Sequence, residues 1–125
     1  MAQQTVDQER AAFAWRMVSQ AAMANDFAEY VNAAKGMPAL VMGSGLMSSL
    51  AFFKSKRGAG EIVAQHVTDW LARKLGWNET GLDFSGAMHR LTSGTSLEYM
   101  HATEEALEIL RWIRHFAAAR KGMTQ

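Results

Sequence analysis

The stretch TSLEYMHATEEALEILRWIRHFAAARK, residues 95–121, decides the fold class. Thr95 and Glu98 stand in capping-box register, three residues apart, which marks a helix start. At about 100° per residue, Tyr99, Ala102, Ala106, Ile109, Leu110, Ile113, Phe116 and Ala117 gather on one apolar arc. Glu104, Glu108, Arg111 and His115 fall opposite, and Trp112 lands among them, an unusual place for an aromatic in a free monomer. Charge is ordered along the axis too. Glu98, Glu104, Glu105 and Glu108 come first and Arg111, Arg114, Arg120 and Lys121 last, which complements the helix dipole.

Outward from this helix, the rest of the chain reads as helical. Thr5 with Gln8 forms another capping box, opening a helix over about residues 6–24. Asn25 and Asp26 make a joint, followed by a short helix expected to end at Gly36. Pro38 suits the first turn of the next helix. That helix breaks at Gly43-Ser44-Gly45 and resumes through Leu46, Leu50 and Phe53 to Lys56. A further helix follows Gly60, with Val63, Val67, Trp70 and Leu75 at helical spacing, and a short one covers Phe84 to Leu91 between Gly81 and Gly94. The expected architecture is all-α, one compact domain of five to six helices over residues 1–125.

Composition narrows the function classes. The chain has 125 residues, an apolar fraction of 49% and 13 basic against 12 acidic residues. That length suits one domain, and the apolar content is too high for a disordered chain. With the charge nearly balanced, a nucleic-acid partner requires the basic groups to be segregated on one surface. Cysteine is absent, which removes disulfides, thiol nucleophiles and thiolate metal sites. The first ten residues include Asp7, Glu9 and Arg10 and hold no apolar signal core. The apolar run Met37 to Phe53 is cut by Pro38, Gly43, Gly45 and serines, so no membrane span is expected. A cytoplasmic protein is the reading these features favour.

The searched catalytic patterns are incomplete. Gly43-Ser44-Gly45 lacks the third glycine, opening strand and following acid of a dinucleotide site, since position 48 is serine. It reads instead as a break between two helix segments, with a phosphate at the following helix start as a minor possibility. His66 with Asp69, and His101 with Glu104 and Glu105, do not complete the two Glu-x-x-His pairs of a bundle di-metal site. A ribonuclease built on His101 or His115 needs a second acid–base group that no motif supplies. Arg10 lies within the stripe Val6, Phe13, Met17 and Ala21, so it is expected to pair with a buried carboxylate or backbone carbonyls. Lys54, Lys56 and Arg57 form the densest basic cluster, suited to capping carbonyls or holding phosphate.

Three blocks carry a family resemblance. The first is Glu9-Arg10-Ala11-Ala12-Phe13-Ala14-Trp15. The second runs from Tyr30 to Met37-Pro38-Ala39-Leu40-Val41 and Gly43-Ser44-Gly45-Leu46-Met47-Ser48-Ser49-Leu50-Ala51-Phe52. The third joins Tyr99 and Ala102-Thr103-Glu104-Glu105-Ala106-Leu107 to Leu110-Arg111-Trp112-Ile113-Arg114-His115-Phe116-Ala117. In this order, and over nearly the whole chain, they resemble the small subunit of type III-B CRISPR effector complexes, the Cmr module. Ser44 replaces a frequent asparagine of that family at the turn, and His115 stands where a second arginine is common.

The resemblance implies a compact helical protein without nuclease activity or cofactor. It implies several copies stacked as an inner filament beside the backbone subunits. The implied partners are the backbone and large Cmr subunits, further copies of the chain, CRISPR RNA and target RNA, with no membrane and no small-molecule substrate. A duplex held regardless of sequence is gripped through its phosphates. Arg111, Arg114 and Lys121, within roughly 80° on the last helix, are then the first RNA-binding candidates. Lys54, Lys56 and Arg57 form a second patch and Arg16 a lesser one. Trp112 becomes the expected contact with a neighbouring copy or backbone subunit. Two other classes remain on sequence grounds: a helical adaptor or dimerisation protein without RNA, and a small histidine-dependent ribonuclease.

Overall fold

The computed structural model describes residues 3–77 and 82–123, and all its regular elements are α-helices. They are α1 (Val6–Ala21), α2 (Phe27–Ser44), α3 (Leu46–Lys56), α4 (Gly58–Lys74), α5 (Phe84–Ser93) and α6 (Ser96–Met123). The all-α class and the upper helix count expected from the sequence are what form. α6 has 28 residues, so it is about 42 Å long. It packs chiefly on α1 and α2, while α4 is wedged between α2, α3 and α6.

The predicted arc of α6 is the one that turns inward. Ala102, Ala106, Ile109, Leu110, Ile113 and Ala117 are buried, and Tyr99 and Phe116 sit half-buried at its edges. They join one core with Phe13 and Val18 of α1, Met37 of α2, Leu50 of α3, Trp70 of α4 and Leu91 of α5. Both capping boxes form. Gln8 N donates to Thr5 Oγ1 at 3.1 Å and Thr5 N to Gln8 Oε1 at 2.8 Å. Glu98 N and Thr95 N make the equivalent bonds at 3.1 and 2.9 Å. Asp83 caps α5 by accepting from Gly86 N at 2.9 Å. Gly81, the expected boundary before α5, lies outside the described residues.

Several boundaries differ from expectation. α1 ends at Ala21, and the joint at Asn25 and Asp26 lies in the turn that follows. α4 starts at Gly58, ahead of Gly60. The larger correction is at Gly36: no helix ends there, and Pro38 sits inside α2. Proline removes one intrahelical bond and strains the preceding turn, a cost of about 3 kcal/mol. Tyr30, Val31, Ala34, Met37 and Val41 lie on both sides of it and are all buried. They share one helical face, so their combined burial offsets the local cost.

The glycine–serine–glycine break forms as expected. Gly45 has φ +92° and both ends α2 and caps α3. A side chain there would be strained by that φ, and its Cβ would sit 3.4 Å from the Tyr99 hydroxyl. That hydroxyl accepts from Met47 N at 3.1 Å. One amide of the helix start considered for a phosphate, that of Met47, is therefore capped by Tyr99 from α6.

Among the buried polar residues, Glu105 and His66 carry ionisable side chains. Glu105 is 4% exposed and accepts from Arg10 Nε at 2.8 Å, Arg10 Nη2 at 3.1 Å and Trp70 Nε1 at 2.9 Å. This is the buried carboxylate expected for Arg10. Glu105 is thus buried, whereas Glu98 and Glu104 of the same acidic series are exposed. His66 Nδ1 shares a hydrogen bond of 2.9 Å with the Tyr30 hydroxyl. Burial pushes the His66 pKa from 6.5 down to about 4 and raises that of Tyr30.

The unfolded chain therefore protonates at His66 near pH 6.5, while the folded chain resists until about pH 4. The neutral histidine's contribution is complete above pH 6.5 and is lost as pH falls towards 4. Burial raises the Glu105 pKa, but hydrogen bonds from Arg10 and Trp70 outweigh it and hold the carboxyl below its ordinary 4.5. Its contribution is lost only below that value. Melting temperature should fall between pH 7 and 4.5, and His66→Gln should flatten that slope. Equal slopes in the two proteins would assign the acid sensitivity to another group.

Candidate nucleic-acid interface

The α1–α6 pair sets out the first group of cations. The two helices advance in the same direction, since Arg10 meets Glu105 and Trp15 meets Phe116. On their outer side Trp15 packs edge-on to Phe116 at 5.4 Å between ring centroids, and Phe116 lies 5.6 Å from Trp112. Arginines close both ends of this aromatic run. The Arg111 guanidinium is 5.3 Å from the Trp112 ring centre, and that of Arg120 is 5.7 Å from the Trp15 ring centre. Such placements attract through the ring quadrupole and hold long side chains in one orientation.

Arg111 also stands 3.5 Å from Glu108. Arg114 is exposed and Lys121 half-exposed on the same half of α6. Trp112 differs from expectation. It is half-buried and packs on the core, with Phe116 one turn along the same helix beside it. Its Nε1 is buried with no hydrogen-bond partner among the described residues. The exposed aromatic of this surface is Trp15, at 39%.

The α3–α4 junction carries the second group, and its members are not equivalent. The Lys54 ammonium is bonded to the Glu61 carboxylate and holds that carboxyl below its ordinary pKa. Its charge is thereby balanced locally. Lys56 Nζ lies 5.1 Å from the Phe52 ring centre. Arg57 forms the turn itself, with φ 60° and ψ −172°, a region that glycine alone occupies without strain. Arg16 is exposed on α1, its guanidinium 5.8 Å from the Phe13 ring centre. The seven predicted cations thus separate into Arg111, Arg114 and Lys121 on α6, the α3–α4 junction, and Arg16 on α1.

Among the described residues no group of three histidines, aspartates or glutamates is placed to hold a metal ion. His66 is enclosed, whereas His101 and His115 are exposed on α6. The latter two are roughly 21 Å apart along the axis, too far to act as an acid–base pair. No described helix is long and apolar enough to cross a membrane.

The profile of the family described as CRISPR-associated protein (Cas_Cmr5) matches residues 6–120. The chain belongs to the Cmr5 family. A crystal structure of a CRISPR-associated Cmr5 family protein from Thermus thermophilus is similar, with a TM-score of 0.77 and 29% identity. The match covers 93% of this chain and 97% of that one. Cmr5 is the small subunit of the type III-B Cmr complex, and this chain is a Cmr subunit of that kind.

Within this Cmr5 chain, sequence reasoning overlooked Arg120, Trp15 and Phe116 as parts of the outer surface shared by α1 and α6. One signal was present: Trp15 projects about half a turn away from the stripe Val6, Phe13, Met17 and Ala21. An aromatic on that side announces a second contact surface for α1. At the junction, the strained backbone of Arg57 leads to an opposed pair of effects. Arg57→Gly should raise stability by about 1 kcal/mol, a few degrees in melting temperature, while weakening any phosphate contact made there. A lower melting temperature would mean that the arginine side chain contributes more than its backbone costs.

Proposed function

We propose that this Cmr5 chain is a non-catalytic subunit that grips the CRISPR RNA–target RNA duplex through its phosphates. Successive copies stack beside the backbone subunits, in the cytoplasm, with the backbone and large Cmr subunits as protein partners. Neither a cofactor nor a small-molecule substrate enters this reading.

The observation that carries it is the placement of Arg111 and Arg114, exposed on a helix fixed from below by the Arg10–Glu105–Trp70 contact. Phosphate recognition independent of base identity needs fixed cations at the surface and no pocket for a base edge. Guide pairing supplies the sequence choice, as in other guided effectors. Lys121 extends the α6 group, Lys56 and Arg57 supply a second, and Arg16 is an outlying contributor. Lys54 ranks lowest because Glu61 already balances it. Trp112 contributes to protein contact through the aromatic surface that it builds with Trp15 and Phe116. With a net charge of +1, one copy attracts RNA weakly, and several copies along one duplex multiply small contributions.

Replacing Arg111 and Arg114 together by glutamine should weaken duplex RNA binding by the reconstituted Cmr complex. The loss should be similar for unrelated sequences, and the salt dependence of log K should become shallower by about one to two per copy engaged. An unchanged salt slope would remove both arginines from the interface. Cleavage of labelled RNA by the pure chain, abolished by His101→Ala or His115→Ala, would replace this reading with the ribonuclease one. Purification from the native host without RNA or Cmr subunits would favour the adaptor reading.

A further inference from the structure

Three carboxylates gather around one guanidinium where α1 meets α6. Arg10 donates to Glu105 at 2.8 and 3.1 Å and to Asp7 at 2.9 Å, bonds that engage its Nε, Nη2 and Nη1 in turn. Glu108 Oε2 lies further off, 3.9 Å from Arg10 Nη1. The same Glu108 oxygen stands 3.5 Å from Arg111 Nη2. Asp7, Glu105 and Glu108 thus set three negative charges against the two positive ones of Arg10 and Arg111. Lys74, whose charge also reaches Glu105, is itself 3.7 Å from Glu9. Arg111 is therefore the cation that answers the acidic excess, and withdrawing it leaves three carboxylates on Arg10.

Exposure grades outward through this group. The side chains of Glu105 and Arg10 are 5% and 17% exposed, those of Glu108 and Arg111 42% and 51%. Glu108 is drawn inward by the fixed charge of Arg10, and Arg111 is the outermost member, its guanidinium over the Trp112 ring. Glu108 and Arg111 are three residues apart on α6, a spacing that puts them on one side of the helix. Arg114, exposed on the next turn, takes part in none of these pairs.

We propose that Glu108 is a built-in competitor for Arg111, holding the guanidinium when RNA is absent and yielding it to a phosphate when RNA arrives. The inference rests on the phosphate-contact reading above and adds the residue that sets the strength of that contact. Carboxylate and phosphate are both oxyanions, and a guanidinium presents the same fork of donors to either. Arg111 therefore serves one of them at the expense of the other. The exchange leaves the Glu108 charge answered only by the distant Arg10, which offsets part of the gain from the phosphate. Arg111 grips RNA less tightly than its exposure implies, and Arg114, outside the cluster, carries the larger share. A brake of this kind keeps the hold of each copy weak and reversible while several copies act together.

Glu108→Gln keeps the shape of the side chain and removes its charge. In the reconstituted Cmr complex it should tighten binding of target RNA to the guide by about two- to fivefold per copy engaged. Removing any acid near RNA also lessens repulsion at long range, so the dependence on Arg111 decides. The gain should vanish when Arg111 is replaced by glutamine as well, and persist when Arg114 is replaced instead. Glu108→Ala, which has no amide left to bond Arg111, should behave as Glu108→Gln does. The melting temperature of each isolated variant should move by no more than a few degrees, because Arg10 keeps Glu105 and Asp7.

An equal gain in the Arg111→Gln and Arg114→Gln backgrounds would be a general field effect and overturn the proposal. Unchanged binding by both Glu108 variants would overturn it as well. Weaker binding would make Glu108 the residue that positions Arg111 for RNA, the opposite of a competitor. Each of these results leaves the phosphate reading standing, provided that Arg111→Gln by itself weakens binding. If Arg111→Gln binds as tightly as the unaltered chain, Arg111 leaves the interface and both inferences about it end.

Discussion

The Glu105 carboxylate receives Arg10 from α1 and the Trp70 indole from α4. Three helices are thereby joined at one buried point. Removing a carboxylate from water opposes its ionisation, and that penalty is the largest influence on Glu105. The guanidinium and indole donors nonetheless outweigh it and keep the group charged. Arg10 in turn touches Asp7 at 2.9 Å and comes within 3.9 Å of Glu108. Losing one member of such a buried pair leaves an uncompensated charge and costs about 3–5 kcal/mol. The pair also sets register, because Glu105 meets Arg10 only when α6 is rotated with Ile109, Leu110 and Ile113 inward.

From that rotation the outer surface follows. Once the apolar arc and Glu105 face the core, Arg111 and Arg114 have only the solvent side left. α1 runs beside α6 in the same direction, so Trp15 reaches Phe116 and continues the aromatic run from Trp112. The arginines resting on that run, Arg111 and Arg120, are oriented by it, and Arg111 also pairs with Glu108. A chain whose total charge is close to zero thus still presents a cationic flank, through segregation within one helix.

How much of this was legible in the sequence depended on whether a feature is local. The last helix, both capping boxes and the break at Gly45 follow from short-range chemistry, and all are present. Arg10 signalled a buried partner because a guanidinium stood inside an apolar stripe, yet nothing local named Glu105, 95 residues away. Gly36 and Pro38 pointed to a helix boundary by the usual rules. The face shared by Ala34, Met37 and Val41 overrode them, a tertiary effect that local preference does not contain. Trp112 was misplaced for a similar reason, since a helical wheel does not contain the tertiary packing that half-buries it. The resemblance blocks supplied what geometry did not, namely the family and the assembly in which these residues act.

The central claim is that the outer face of α6 touches the RNA duplex inside the assembled complex. A photocrosslinking side chain at exposed position 114, in a Cmr complex carrying guide and labelled target RNA, measures this directly. The account predicts crosslinks to RNA at several positions along the duplex, whatever its sequence, that diminish as salt rises. Crosslinks confined to neighbouring protein, with no labelled RNA attached, would contradict it.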